Sequence, residues 1–255
     1  MTKVIAIANQ KGGVAKTTST INLAWGLKER GARVLCIDAD PQGDLTDYFG
    51  YDQDELEERE QTLYFSLLGD KPLSSLVLGE NPYLVPSSIA LADAEPELMS
   101  DQFRSAPTVL RDKLREIRQQ YDVILIDCMP SLSLVTINAL TAADAVLVPI
   151  KTDRLSFRGF QRLLATIDKA RTRLNPELSI VGVLPTIHNP QNTHDKATLE
   201  RIQAELAPRQ IRLFPAINRS TRFDQGLDQH LPTVVFAPDT PGAQVYAAVA
   251  EELSK

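Results

Sequence analysis

The residues of this chain that bear most directly on chemistry are Lys11, Gly12, Gly13, Val14, Ala15, Lys16, Thr17 and Thr18. Two glycines let successive backbone N–H groups converge on an anion, and a helix starting at Thr18 adds its partial positive end. Lys16 is placed to reach the β- and γ-phosphates of a nucleotide, and the Thr17 hydroxyl to ligate a magnesium ion. The general phosphate-loop pattern has a glycine where this chain has Ala15, the smallest departure a side chain allows. Lys11 is an additional cation beside the same loop. A glycine-rich strand-to-helix turn without a ligand would not account for two lysines bracketing the glycines with a hydroxyl pair behind them.

Further along, carboxylates end two apolar runs. Val34-Leu35-Cys36-Ile37 leads into Asp38-Ala39-Asp40-Pro41-Gln42-Gly43, which puts Asp38 and Asp40 on one side of the chain at a strand's carboxyl end. The plain alternative is that both cap the next helix. Tyr121-Asp122-Val123-Ile124-Leu125-Ile126-Asp127 ends in a carboxylate that can hold a magnesium-bound water without touching phosphate. Lys151 stands after the apolar run 145–150, where it can supply a phosphate or cross-dimer contact, or pair with Asp153 at the surface.

These side chains need elements to hold them. Residues 4–8 are short, apolar and β-branched, as in a buried parallel strand, and helical spacing of Ile21, Leu23, Ala24 and Leu27 runs from 18 to a stop at Gly31. Further strands are expected over 34–37, 83–85, 121–127, 145–150, 178–184 and 211–214. Helices are expected over 62–68, 91–98, 107–120, 156–170 and 193–206, then from Pro238-Asp239-Thr240 to the end, with an acidic, solvated helix face at 52–60. Along 107–120 the cations Arg111, Lys113, Arg115 and Arg118 surround the polar face, which is more simply a solvated face than a DNA contact. Strands alternating with helices predict one α/β domain over 1–255, a doubly wound and mostly parallel sheet flanked by helices.

The Lys11 to Thr18 stretch resembles the deviant Walker A box of the ParA/MinD family of ATPases. Asp38 to Gly43 resembles the segment after that family's second strand. Cys128-Met129-Pro130-Ser131-Leu132, with Asn138-Ala139-Leu140, resembles its switch after Walker B, with one proline where relatives often have two. The resemblance implies ATP and Mg2+ as cofactors and an ATP-sandwich homodimer in which Lys11 acts across the interface. It implies that Asp40 orients the attacking water and that Asp38 supports the magnesium shell beside Thr17 and Asp127. Many relatives carry an uncharged polar residue where this chain has Lys151, and Pro185-Thr186-Ile187 falls where the family places part of its adenine pocket. Arg219 and Arg222 match a family position that contributes to sequence-independent DNA binding; the bland alternative is an ion pair with Asp224 or Asp228.

Composition limits the function classes. With 43% hydrophobic and 24% charged residues over 255 positions, the chain can bury one large core. A net charge of −6 means that any DNA contact uses a local basic patch. Cys36 and Cys128 lie inside apolar runs without a second thiol at ligand spacing, which argues against the iron–sulfur relatives of ParA. No apolar run approaches a membrane span, the chain enters a strand at once, and its last helix has a core-facing stripe rather than a basic membrane-binding tail. A cytoplasmic, nucleoid-associated, Soj-like protein is expected, with no DNA-reading domain ahead of the first strand. Its cargo would be a plasmid, a chromosome origin or a carboxysome, reached through a ParB-like or McdB-like adaptor. A MinD-like membrane-cycling regulator and a metabolic ATP-dependent ligase are the other classes weighed.

Overall fold

Continuous apolar strands are stable only when both faces are covered, and this chain covers them with helices on either side of one sheet. In the computed structural model, which describes residues 2–100 and 105–255, the strands are β1 (Lys3–Ile7), β2 (Val34–Ala39), β3 (Tyr83–Val85), β4 (Val123–Cys128), β5 (Ala145–Lys151) and β6 (Ser179–Thr186). The helices of the first half are α1 (Lys16–Lys28), α2 (Asp44–Tyr48), α3 (Gln53–Glu58), α4 (Leu63–Leu68), α5 (Ala94–Ser100) and α6 (Val109–Leu114). Those of the second half are α7 (Leu134–Ala142), α8 (Arg154–Arg173), α9 (Thr193–Leu206), α10 (Thr221–Asp228), α11 (Thr233–Phe236) and α12 (Pro241–Leu253).

The strand order is β3-β2-β4-β1-β5-β6, and every pairing is parallel. The doubly wound, parallel architecture expected from the sequence is therefore the one formed. Because side chains alternate along a strand, β1 sends Val4 and Ala6 to one face and Ile5 and Ile7 to the other. The first face packs Leu110, Phe160, Leu163 and Ile167 from α6 and α8; the second packs Leu23, Leu27, Tyr246 and Val249 from α1 and α12. Each fully buried side chain of this size contributes about 1.5–3 kcal/mol. α12 lies against α1 closely enough that a Cβ on Gly26 would sit 3.0 Å from the Ala250 Cβ. The stripe of the last helix is thus spent in the core, and no described helix is long and apolar enough to cross a membrane.

Several expected elements come out differently, among them the helix over 91–98, which is a 3₁₀ turn, Ile89–Asp93, leading into α5. Residues 211–214 do not form a strand: they make a single parallel bridge, Val183 to Leu213, beside β6. Val183 N–H donates to Arg212 O at 2.8 Å and Phe214 N–H to Val183 O at 2.9 Å, but Pro185 has no N–H to extend the ladder, and contact resumes only where Ile217 N–H donates to Pro185 O at 2.8 Å. Residues 107–120 are not one helix but α6 between two 3₁₀ turns, Ala106–Thr108 and Arg118–Gln120. The predicted apolar positions Leu110, Leu114 and Ile117 are buried all the same. The terminal helix also starts a little later than Pro238, at Pro241.

Candidate active site

The phosphate loop joins β1 to α1 at the carboxyl edge of the sheet. Gly13 takes φ 67° and Ala15 φ 62°, both left-handed. Ala15 therefore holds the conformation that the usual glycine supplies without strain, at a cost of about 1–2 kcal/mol. Asn9 fastens the loop, its Nδ2 donating to Pro149 O at 2.7 Å and its Oδ1 accepting from Lys11 N–H at 3.1 Å. Thr186 ties the far side, donating to Val14 O at 3.0 Å. Lys16 is buried, 7% exposed, and has no ion-pair partner among the described residues. A buried ammonium without a carboxylate fits a phosphate of a bound nucleotide.

Behind Lys16, Thr17 Oγ1 donates to Asp127 Oδ2 at 2.7 Å and Thr20 Oγ1 to Asp127 Oδ1 at 3.1 Å. Burial pushes the Asp127 carboxyl up to about 6, against the opposing pull of the Thr17 hydroxyl and the Lys16 charge. Asp38 sits in register with Asp127 on the neighbouring strand. Its Oδ2 accepts from Thr46 N–H at 2.9 Å and Thr46 Oγ1 at 2.7 Å, and its Oδ1 from Asp40 N–H at 3.2 Å. Burial and the neighbouring Asp127 raise the Asp38 carboxyl well above the usual carboxylate range. The capping alternative thus describes part of what Asp38 does, since Thr46 belongs to α2. Asp40 differs: its Oδ1 accepts from Gln42 N–H at 3.0 Å, and its side chain lines a cleft of about 410 Å³ with Gly12, Lys16, Thr17 and Asp44.

That donor set suits magnesium. Among the described residues no group of three or more His, Cys, Asp or Glu side chains forms a metal cage. Magnesium does not need one, because it is held by one or two carboxylates, a hydroxyl and substrate phosphates. Cys36 and Cys128 are buried and free, with their thiols pushed up by burial and by Asp127 nearby.

Lys11 lies on the other side of the loop. Its Nζ is 2.8 Å from both Asp153 oxygens and 3.0 Å from Ser156 Oγ, at the start of α8. Lys151 Nζ reaches the same carboxylate at 3.6 Å. Burial alone would raise the Asp153 carboxyl, but Lys11 and the Ser156 N–H outweigh it and hold it down at about 2. The surface pairing weighed for Lys151 is present, shared with Lys11. In the sequence Asp153 stands only as a surface partner for Lys151; the signal for more is its place three residues before Ser156 at the head of a periodic run, an N-cap pattern.

Next to the loop is a cavity of about 330 Å³, walled in part by Ala15, Thr18, Lys151, Thr186, Ile187 and Arg219. Thr186 and Ile187, expected near the base, are here, and Ile187 takes φ 51°, a strained value for a β-branched residue. The arginine pair divides: Arg219 lines this cavity, while exposed Arg222 bonds Gln225 at 3.1 Å. Neither pairs with Asp224 or Asp228. Asn218 and Phe223, which also wall the cavity, carried no base-pocket signal in the sequence.

A family model described as an AAA domain matches residues 2–180. The sporulation initiation inhibitor protein Soj of Bacillus subtilis is 35% identical over 257 aligned positions, covering 100% of this chain and 99% of its own. Among solved structures, McdA of Cyanothece superposes with a TM-score of 0.89 at 26% identity, over 100% of both chains. Cobyrinic acid a,c-diamide synthase of Mycobacterium smegmatis, with bound ADP and magnesium, superposes with a TM-score of 0.83 at 35% identity over 99% of this chain and 94% of that one. With a relative this similar end to end, and a loop carrying both Lys11 and Lys16, the chain belongs to the ParA/MinD family of P-loop ATPases.

Proposed function

We propose that this protein is a slow ATPase that pairs with a second copy over two Mg-ATP molecules, holds DNA without base preference in that state, and positions a cargo over the nucleoid. A ParB-like or McdB-like adaptor stimulates hydrolysis and ends the DNA-bound state. The observation that carries the reading is the second loop cation: Lys11 stands clear of its own phosphate cleft, 2.8 Å from Asp153, on the same edge of the sheet. A lysine in that position serves a phosphate presented from outside its own subunit.

In this reading the N–H groups of Gly12 to Lys16 and the Lys16 ammonium bind the β- and γ-phosphates. Thr17 and Asp127 hold magnesium, with Asp38 setting the backbone behind them. Held by Thr17 and Asp127, magnesium would supply positive charge to offset the negative charge on the phosphates. Asp40, lining the cleft, orients the attacking water, and Lys151 adds a second cation beside Lys11. Arg222 meets DNA phosphates, and Arg219 links that contact to the base cavity.

Two measurements test this together: mass by light scattering with a non-hydrolysable ATP analogue, and duplex retention in ATP, ADP and no nucleotide across a salt titration. Doubling of mass with the analogue, and DNA binding confined to ATP, is the expected result. A protein that remains single when saturated, or binds DNA equally in every state, overturns the reading. The likeness to a diamide synthase favours one other reading, an ATP-dependent amidating ligase. Rapid ATP turnover that requires a carboxylic acid and an amine donor, without DNA, would favour that reading.

A further inference from the structure

The cations of this chain fall into two groups. Around α6 they are used within the molecule: Lys113 Nζ donates to Gly69 O and Lys71 O, and Arg118 to Thr2 O and to Asp144 at 2.7 Å. On α8 they are not. The side chains of Arg154, Arg158, Arg162, Lys169 and Arg173 are exposed, and none has a hydrogen bond or ion pair with a described residue. The one carboxylate on that helix, Asp168, is already taken by Arg171 and Arg209 at 2.9 Å each.

Their spacing makes a row. With 3.6 residues per turn, the five fall within about 100° of arc and extend over about 28 Å. The row points away from the buried face of Phe160, Leu163, Leu164 and Ile167. For a protein of net charge −6, five aligned cations, with Glu205 of α9 reaching the row only through Gln161 at 3.0 Å, are a local field of the opposite sign.

We propose that the outer face of α8 docks on the phosphate backbone of duplex DNA. Arginine forks take phosphate oxygens in pairs, and the row is close to one helical turn of about 34 Å in length. Gln161, Ala165 and Thr172 lie between the cations, so no aromatic ring is offered for stacking on single-stranded bases. A lipid surface would need apolar side chains to insert, and those of α8 are in the core, Leu155 excepted. α8 lies on the sheet face opposite the one that packs Ile217 and Phe223, so this surface is separate from that of Arg222. The proposal rests on the DNA-binding part of the function above.

The test is fluorescence anisotropy of a random-sequence duplex with the full chain in Mg-ATP, over a salt series. Arg158→Ala/Arg162→Ala/Lys169→Ala is expected to weaken binding at least about tenfold and to lower the log–log salt slope by about 3. ATP binding and the melting temperature should be unchanged, and Arg158→Lys/Arg162→Lys should retain most of the affinity. Should the triple variant melt early, Arg162→Glu alone is expected to act in the same direction. Unchanged affinity and slope in these variants, while the native chain binds, overturns this surface and leaves the function standing. A native chain that retains no duplex in ATP overturns both, and one that binds anionic phospholipid vesicles but no duplex overturns the choice of DNA.

Discussion

Two carboxylate clusters share one edge of the sheet and have opposite electrostatics. Asp127 ends a central strand, is 1% exposed, and meets hydroxyls and a second carboxylate, Asp38, in register beside it. Asp153 follows β5 at a helix N-terminus, keeps 30% of its side chain exposed, and collects Lys11, Lys151 and the Ser156 N–H. Burial thus raises the first to about 6, and cations hold the second at about 2. The first cluster is short of positive charge, as a magnesium site should be. The second holds lysines that an incoming phosphate can compete for. A Mg-nucleotide between them would satisfy both.

The sharpest way to break this contrast is to remove the buried cation beside the first cluster. Lys16→Ala is expected to weaken Mg-ATP binding by roughly 100-fold or more, the scale of leaving a buried charge unpaired. Titration calorimetry that finds only a few-fold change would mean the phosphates lie elsewhere.

Asp127→Asn separates stability from chemistry. Because the folded carboxyl titrates near 6 and the unfolded one near 4, the native state is penalised above the upper value and not below the lower one. Without nucleotide the variant should therefore be more stable than the native chain at pH 7.5, by up to about 3 kcal/mol, and equal to it below about pH 4. Hydrolysis should fall by about two orders of magnitude with the metal contact weakened. A variant less stable at neutral pH would show that burial is not what raises Asp127.

Asp153→Asn acts on the other cluster. Freed of a half-exposed ion pair that contributes at most about 1 kcal/mol, Lys11 should lower the protein concentration needed for ATP-dependent pairing by about fivefold. The lowered carboxyl gives the sign in acid: the stability from the Lys11 pair is present above about pH 4 and is lost as pH falls toward 2, and the variant should lack this transition. Analytical ultracentrifugation and acid unfolding check the two halves.

The smallest effect expected is that of Lys151→Ala. At 3.6 Å from a carboxylate that Lys11 already holds more closely, it should weaken pairing about two- to threefold. No change in assembly removes Lys151 from the nucleotide edge.

The strands and the phosphate loop were legible because their signals are local. Apolar β-branched runs end in Gly, Asn or Asp, and β3 and α9 fall where their residues predict them, at Tyr83–Val85 and Thr193–Leu206. What was misread depended on neighbours. Residues 211–214 have strand composition, but Pro185 in the partner strand has no N–H to continue the pairing past one bridge. The cavity beside the phosphate loop draws its walls from segments some 200 residues apart, Ala15 and Phe223 among them, and no spacing rule joins those.

The sequence by itself determined which residues the proposed chemistry rests on: two lysines around a glycine loop, Thr17 behind them, and aspartates at the ends of apolar strands. Backbone conformation and side-chain type act over a few residues, so a single chain segment states them in full. Only the tertiary structure decided how charge is shared among these groups. It set Asp127 beside Asp38 in the dry centre of the sheet, gave Lys11 to Asp153, and left the α8 cations without partners. Desolvation and ion pairing depend on distances between segments far apart in the chain, and only packing sets those distances.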